Sequence, residues 1–126
     1  MQIIKKYMRI QGHEYSYGTG KPTGVFSLCI RRVDNGIFSK EDAKIFNDTN
    51  QWFKDNLVQP PFYEQGNPDR AITYFKTDNY EAMREKSEIL TGLLDKYNVP
   101  YDIVFTDHAG KIIYEDEYQV GVIADD

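Results

Sequence analysis

Residues 71–106 read AITYFKTDNYEAMREKSEILTGLLDKYNVPYDIVFT, and this stretch decides the fold. Residues 71–76 are rich in β-branched and aromatic side chains and lack Gly and Pro, which predicts a strand. Thr77 or Asp78 then offers a helix cap. Met83, Leu90, Leu94 and Tyr97 recur on one face of a 3.6-residue period, predicting a long helix through Tyr97. Asn98 and Pro100 end it. Residues 101–106, YDIVFT, return to strand composition. The stretch is therefore a β-α-β unit. It resembles half of a ferredoxin-like fold, a likeness that implies architecture and no activity.

Working outward, the segment before this unit is FYEQGNPDR, a loop by its Gly, Pro, Asn and Asp content. Pro60 and Pro61 precede it and stop a helix, because proline cannot continue the hydrogen-bond ladder. That helix runs from Ser39, an N-cap answered by Asp42 in a variant capping box, to about Asn56. Phe46, Phe53 and Leu57 mark its buried stripe, widened by Ile45, Thr49 and Trp52. A shorter helix is expected over residues 23–35, with Val25, Cys29 and Val33 in line, Phe26 and Ile30 beside them, and Gly36 ending it in the left-handed conformation; strand is the competing reading, because Val, Phe and Ile favour it. Residues 12–24, GHEYSYGTGKPTG, hold four glycines in thirteen positions and read as a loop. Residues 2–11 read as a first strand with a kink or late start. On the other side, HAG is a turn, and residues 111–114 and 118–124 are strands joined by the acidic corner Glu115-Asp116-Glu117. The order is β-α-α-β-α-β-β-β. The fold class is α+β: one domain over residues 1–126, with a mixed or mostly antiparallel sheet covered on one face by about three helices.

Composition fits that assignment. With 126 residues, 40% hydrophobic and 28% charged, the chain is of globular type and long enough to bury a core without disulfides or metal. The formal net charge of −5 argues against general nucleic-acid binding. Cys29 is the only cysteine, so no internal disulfide forms, in keeping with a reducing compartment. No secretory leader or membrane-length apolar run is seen, and a cytoplasmic location is expected.

Two loops carry the candidate binding chemistry. Gly18-Thr19-Gly20-Lys21 fails as a P-loop, since Tyr15 stands where the motif needs Gly and Pro22 where it needs Ser or Thr. Its glycines can still expose backbone N–H groups just ahead of a helix, with Lys21 adding charge, a combination that favours an anion. The second loop adds Tyr63 and Arg70. Together with Arg9, the expected ligand set is Arg9, Tyr15, Tyr17, Gly18, Gly20, Lys21, Tyr63 and Arg70, with tyrosines stacking on a ring and cations neutralising phosphate. No metal site or cofactor is expected: His13 and His108 lie far apart in sequence, and no cysteine cluster exists. Cys29 sits on an apolar helix stripe, the setting of a small buried hydrophobe. Glu115 and Glu117 are the candidate acid and base of an enzymatic alternative. Their Glu-x-Glu spacing beside the last strand is similar to that of some ADP-ribosyltransferases, although a solvated turn explains it as well.

The strings KYMRIQGHEYSYGTGKPTG, WFKDNLVQPPFYEQGNPDRAITYFKT and NVPYDIVFTD…GKIIYEDEYQVGVI resemble a family of small hypothetical proteins of bacteria and their mobile elements. The resemblance covers nearly the whole chain and implies a compact stand-alone domain, with no activity or functional residue to carry over. Three functions stand in order. The first is non-catalytic binding of a small phosphorylated or nucleotide-like ligand, in signal sequestration or regulation. The second is a protein-binding inhibitor of the anti-defence kind, acting through an acidic surface. The third is a small nucleotide-processing enzyme. A homodimer is a further expectation, because a sheet covered on one face can bury the other against a copy. No membrane partner is expected.

Overall fold

The computed structural model describes residues 5–16 and 18–124. Its elements follow the expected order, with one strand added. They are β1 (Tyr7–Tyr15), β2 (Pro22–Gly24), α1 (Val25–Asp34), α2 (Lys40–Asn56), β3 (Ile72–Lys76), α3 (Arg84–Lys96), β4 (Tyr101–Thr106), β5 (Lys111–Glu115) and β6 (Gln119–Ile123). Short 3-10 turns cover Pro61–Tyr63 and Thr77–Ala82.

Every strand pairing is antiparallel. The sheet runs β4-β1-β3-β6-β5. The β-α-β unit is thus a split one: β3 and β4 run the same way with β1 between them. β1 pairs with β4 along one edge, from Tyr7 opposite Thr106 to Gly12 opposite Tyr101. Its other edge is shared. β3 takes Tyr7 and Met8, and β2 takes Gln11 and Tyr15. That fork positions the site described below.

The main core lies between the sheet and the three helices. Met8, Ile10 and Phe75 rise from the sheet to meet Leu28, Phe46, Phe53, Leu90 and Leu94. Leu28, Leu90 and Leu94 are wholly buried, and truncating any one to Ala is expected to cost about 2–5 kcal/mol. Alternate positions of β3 and β6 point the other way. There Ile72, Val120 and Val122 close a second cluster with Ala109 from the β4–β5 connection. The sheet curls enough for this reverse face to bury a small core of its own, so it is not simply bare opposite the helices.

Local differences from the sequence reading have physical causes. The part of the first-strand expectation on residues 2–4 lies outside the described residues. The strand itself starts at Tyr7 and continues to Tyr15, because β4 and β2 hydrogen-bond a backbone whose glycine content reads as loop. Thr77 and Asp78 do not cap α3. A 3-10 turn intervenes, α3 starts at Arg84 without a side-chain cap, and the Thr77 hydroxyl instead donates to the Lys5 carbonyl. Ser39 does cap α2, its Oγ accepting from the Asp42 N–H at 3.1 Å. The return bond of the box is relayed: the Ser39 N–H donates to the Tyr97 hydroxyl, which donates to the Asp42 carboxylate. Gly36 ends α1 with φ +70°, as its position predicts.

Candidate functional site

The fork in β1's edge leaves Arg9 between two partner strands, and its side chain does what a continuous ladder would have done. Nε donates to the Thr73 carbonyl of β3 at 3.2 Å, and Nη1 donates to the Pro22 carbonyl of β2 at 2.9 Å. Nη1 also donates to Gln11 Oε1 at 2.9 Å. The residue is only 9% exposed. No carboxylate lies within ion-pairing distance of it among the described residues, and Nη2 donates to nothing there. Burial pulls the Arg9 pKa below its ordinary value, with Tyr74 and Tyr63 acting weakly in the opposite sense. An arginine starts so far above neutrality that it stays charged. A buried ion is normally paired, because taking it out of water costs several kcal/mol. Among the described residues the compensation comes from neutral carbonyl dipoles.

Arg9 lies on the floor of a cavity of about 430 Å³. Its walls are the first turn of α1, the inner face and end of α2, and the Pro60–Tyr63 segment. Phe26 and Phe53 meet edge to face at 4.9 Å and, with Leu57 and Pro60, make much of the apolar lining. Lys54 supplies a second cation, and Asn50, Gln59 and Gln119 supply amides. The lining contains no Asp or Glu, in a chain whose net charge is −5. Gln119 is fixed by donating to the Val58 carbonyl at 3.1 Å. The Tyr63 hydroxyl sits 2.6 Å from Thr73 Oγ1, which holds that ring against the strand. An apolar pocket with a few fixed polar groups is the general form of a small-ligand site.

Of the residues expected from sequence, Arg9 and Tyr63 meet in this cavity. Gly20, Lys21 and Arg70 line a separate recess of about 370 Å³ with Asp69, whose carboxylate offsets part of the positive charge. Tyr15 is exposed beyond both, and its carbonyl accepts from Arg31. Gly18 is exposed and lines neither. Tyr17 lies outside the described residues. The expected set is therefore divided between two places. Lys54, Gly24 and Gln119 were not singled out from sequence. They stand on α2, β2 and β6, and the fold brings them to the cavity that Arg9 lines, which no local pattern announces.

Most of the other chemistry-bearing groups are occupied by structure, whereas Glu117 is exposed at the β5–β6 corner, its side chain without a hydrogen bond or ion pair among the described residues. Glu115 pairs with Lys76 at 2.6 Å. Asp116 accepts from the Tyr118 and Gln119 N–H groups at 2.8 Å and from the Tyr114 hydroxyl at 2.5 Å, so it pins the β5–β6 corner. That hydroxyl's pKa rises to about 12, chiefly because its proton is held by Asp116. His13 pairs with Asp102 at 3.1 Å, at the opposite end of the β1–β4 pair from His108. No three of His, Cys, Asp and Glu come close enough to hold a metal ion among the described residues. Cys29 is fully buried, and desolvation pushes its thiol to about 12, too high for a nucleophile. No helix among the described residues is long and apolar enough to cross a membrane.

No protein-family model matches the chain, and no curated protein or solved structure matches it either.

Proposed function

We propose that this chain is a non-catalytic binder of a small phosphorylated or nucleotide-like ligand, acting in regulation or in removing a signal, and that the ligand occupies the Arg9 cavity. One observation carries this reading: a buried guanidinium that, among the described residues, has an unused Nη2 and no carboxylate partner, beside a cavity whose described lining holds no acid. An anion there would complete the compensation that the carbonyls begin, in a setting where charge-assisted hydrogen bonds are strong. The apolar walls would take a ring. Engagement of Glu115 with Lys76 supports binding over turnover, since it leaves Glu117 without its expected acid–base partner.

The test is a thermal-unfolding screen against nucleoside mono-, di- and triphosphates. A ligand at a hundred times its Kd stabilises by about 2.7 kcal/mol, which raises Tm by several degrees. Lys54→Ala should reduce that shift, while Arg70→Ala, in the other recess, should leave it intact. A screen in which no phosphorylated compound moves Tm would defeat the proposal.

A second reading, an inhibitor that binds another protein, is supported by β4. This edge strand leaves Ile103 and Phe105 about half exposed at 49% and 56%. An open strand edge with apolar side chains is suited to pairing with another chain.

A further inference from the structure

The first turn of α1 is the wall of the cavity nearest Arg9. Gly24, Val25, Phe26 and Ser27 all line the space. α1 has ten residues, no side-chain cap at Gly24 and no acidic residue in its first turn. A helix start of this kind leaves backbone N–H groups without intrahelical partners and carries about half a positive charge. Arg9 supplies the independent second feature. It is 9% exposed, its Nη2 is unused, and that atom lies only 3.3 Å from where a Cβ on Gly24 would stand. The absence of a side chain at Gly24 is what keeps the guanidinium tip and the helix start open to one another.

We infer that the ligand carries a single phosphoryl group, seated between Arg9 Nη2 and the start of α1, on a nucleoside whose base lies against Phe26, Phe53 and Leu57. The inference rests on the reading that the cavity binds a phosphorylated compound, and adds how many phosphates it takes and where. Charge limits the number. Arg9, Lys54 and the helix start together offer roughly +2.5. A phosphate monoester carries about −1.5 to −2 at neutral pH, which this set neutralises in full. A triphosphate, with roughly two more negative charges, exceeds it, with no other cation in the lining and a net negative chain around it. Geometry agrees, because Nε and Nη1 are spent on carbonyls and Gln11, so Arg9 offers one end of its fork rather than a clamp for a polyphosphate. Asn50 and Gln59 are the amides placed to hydrogen-bond the edge of a base.

Isothermal titration of the full chain at fixed ionic strength tests this, using the common nucleoside 5′-monophosphates, the matching triphosphates, and inorganic phosphate. The expected result is that one monophosphate binds at least about tenfold tighter than its triphosphate and than inorganic phosphate, one decade of Kd being a modest discrimination. Gly24→Ala should weaken it about tenfold. The backbone there, at φ −71° and ψ 166°, accepts any residue, and only the Arg9 tip must give by a few tenths of an ångström, so the unfolding midpoint should fall far less than in Arg9→Met. Lys54→Ala, on an exposed side chain with no part in the core, should weaken it about fivefold. A triphosphate that binds tighter would overturn the single-phosphoryl inference and leave the phosphorylated-ligand reading standing. Inorganic phosphate binding as tightly as any nucleotide would overturn the nucleoside part. A monophosphate unaffected by both substitutions would overturn the placement. Failure of every nucleotide to bind would remove the functional reading and this inference together.

Discussion

At the scale of single residues, Arg9 is both a structural tie and the centre of the candidate site, and the structural role is read from stability. Arg9→Met keeps much of the apolar stem but leaves the Thr73 and Pro22 carbonyls without their donor. Hydrogen bonds to a charged group are worth about 1.5–3 kcal/mol each, and loss of the buried charge offsets part of that. The expected net destabilisation is about 2–4 kcal/mol, read from the urea midpoint at constant m-value. A variant as stable as the parent would mean that β2 and β3 do not depend on the bridge. Glu14 makes a pH-dependent contribution. Hydrogen bonds from Arg32, above all, and from Arg31 hold its pKa near 2, below an ordinary 4.5. A carboxylate with a depressed folded pKa contributes stability that is present above the unfolded value and lost as pH falls through the folded one. The window is therefore from about 4.5 down to about 2. The Glu14 side chain is 41% exposed, so solvent screening keeps the contribution to about 1 kcal/mol. Glu14→Gln should lower the urea midpoint at pH 7 and flatten its fall between pH 5 and pH 3. A parallel fall in both proteins would show that the pair contributes nothing.

At the scale of elements, the wall of the cavity is held by a close approach. In β6, a Cβ on Gly121 would lie 2.4 Å from Phe62 Cε1. The Phe62 ring packs at 4.5 Å from that of Tyr63, so the strand's bare backbone sets where the Pro61–Tyr63 turn rests. Gly121→Ala should force that turn outward at a cost of about 1–3 kcal/mol, the usual range for overpacking. Quenching or chemical-shift change at Tyr63 should accompany the drop in Tm, and an unchanged Tyr63 environment would place the strain elsewhere. The elements also show what a sequence can and cannot announce. The β-branched and aromatic composition of β3 and the stripe Leu90–Leu94–Tyr97 along α3 and its C-cap are local signals, and both elements stand where those signals lie. β2 left none. Pro22-Thr23-Gly24 has turn composition and becomes a strand only because the far end of β1 lacks a partner on that edge. The site was legible in the same partial way. Arg9 and Tyr63 stood out by residue type and position near the loops. Lys54 follows Phe53 on a helix whose outer face is rich in charge, and nothing local distinguishes a lysine that lines a cavity from one that faces water. Gly20, Lys21 and Arg70 have the composition of an anion loop, but the backbone delivers them to another recess.

At the scale of the whole molecule, the two edges of β1 divide the functions the chain can support. The fork with Arg9 is on one edge, and β4 is on the other. Among the described residues β4 pairs only with β1, which leaves its outer edge unpaired there, while Ile103 and Phe105 stand on the same face as Met8 and Ile10 yet remain half exposed. Natural edge strands usually carry charge or a bulge against sheet extension. Here Asp102 is the one charged side chain within β4, and it is engaged with His13. An antiparallel strand edge is self-complementary about a twofold axis, so a second copy meets the geometric requirement without further design. The expectation is concentration-dependent self-association by analytical ultracentrifugation, abolished by Phe105→Lys, with nucleotide affinity unchanged because the substitution lies across β1 from the cavity. If the parent chain stays monomeric at high concentration, self-pairing at β4 is excluded. Ile103 and Phe105 would then remain as a surface for a different protein. If Phe105→Lys instead weakens nucleotide binding, the two edges of β1 are coupled, and the cavity is completed only in the assembled form.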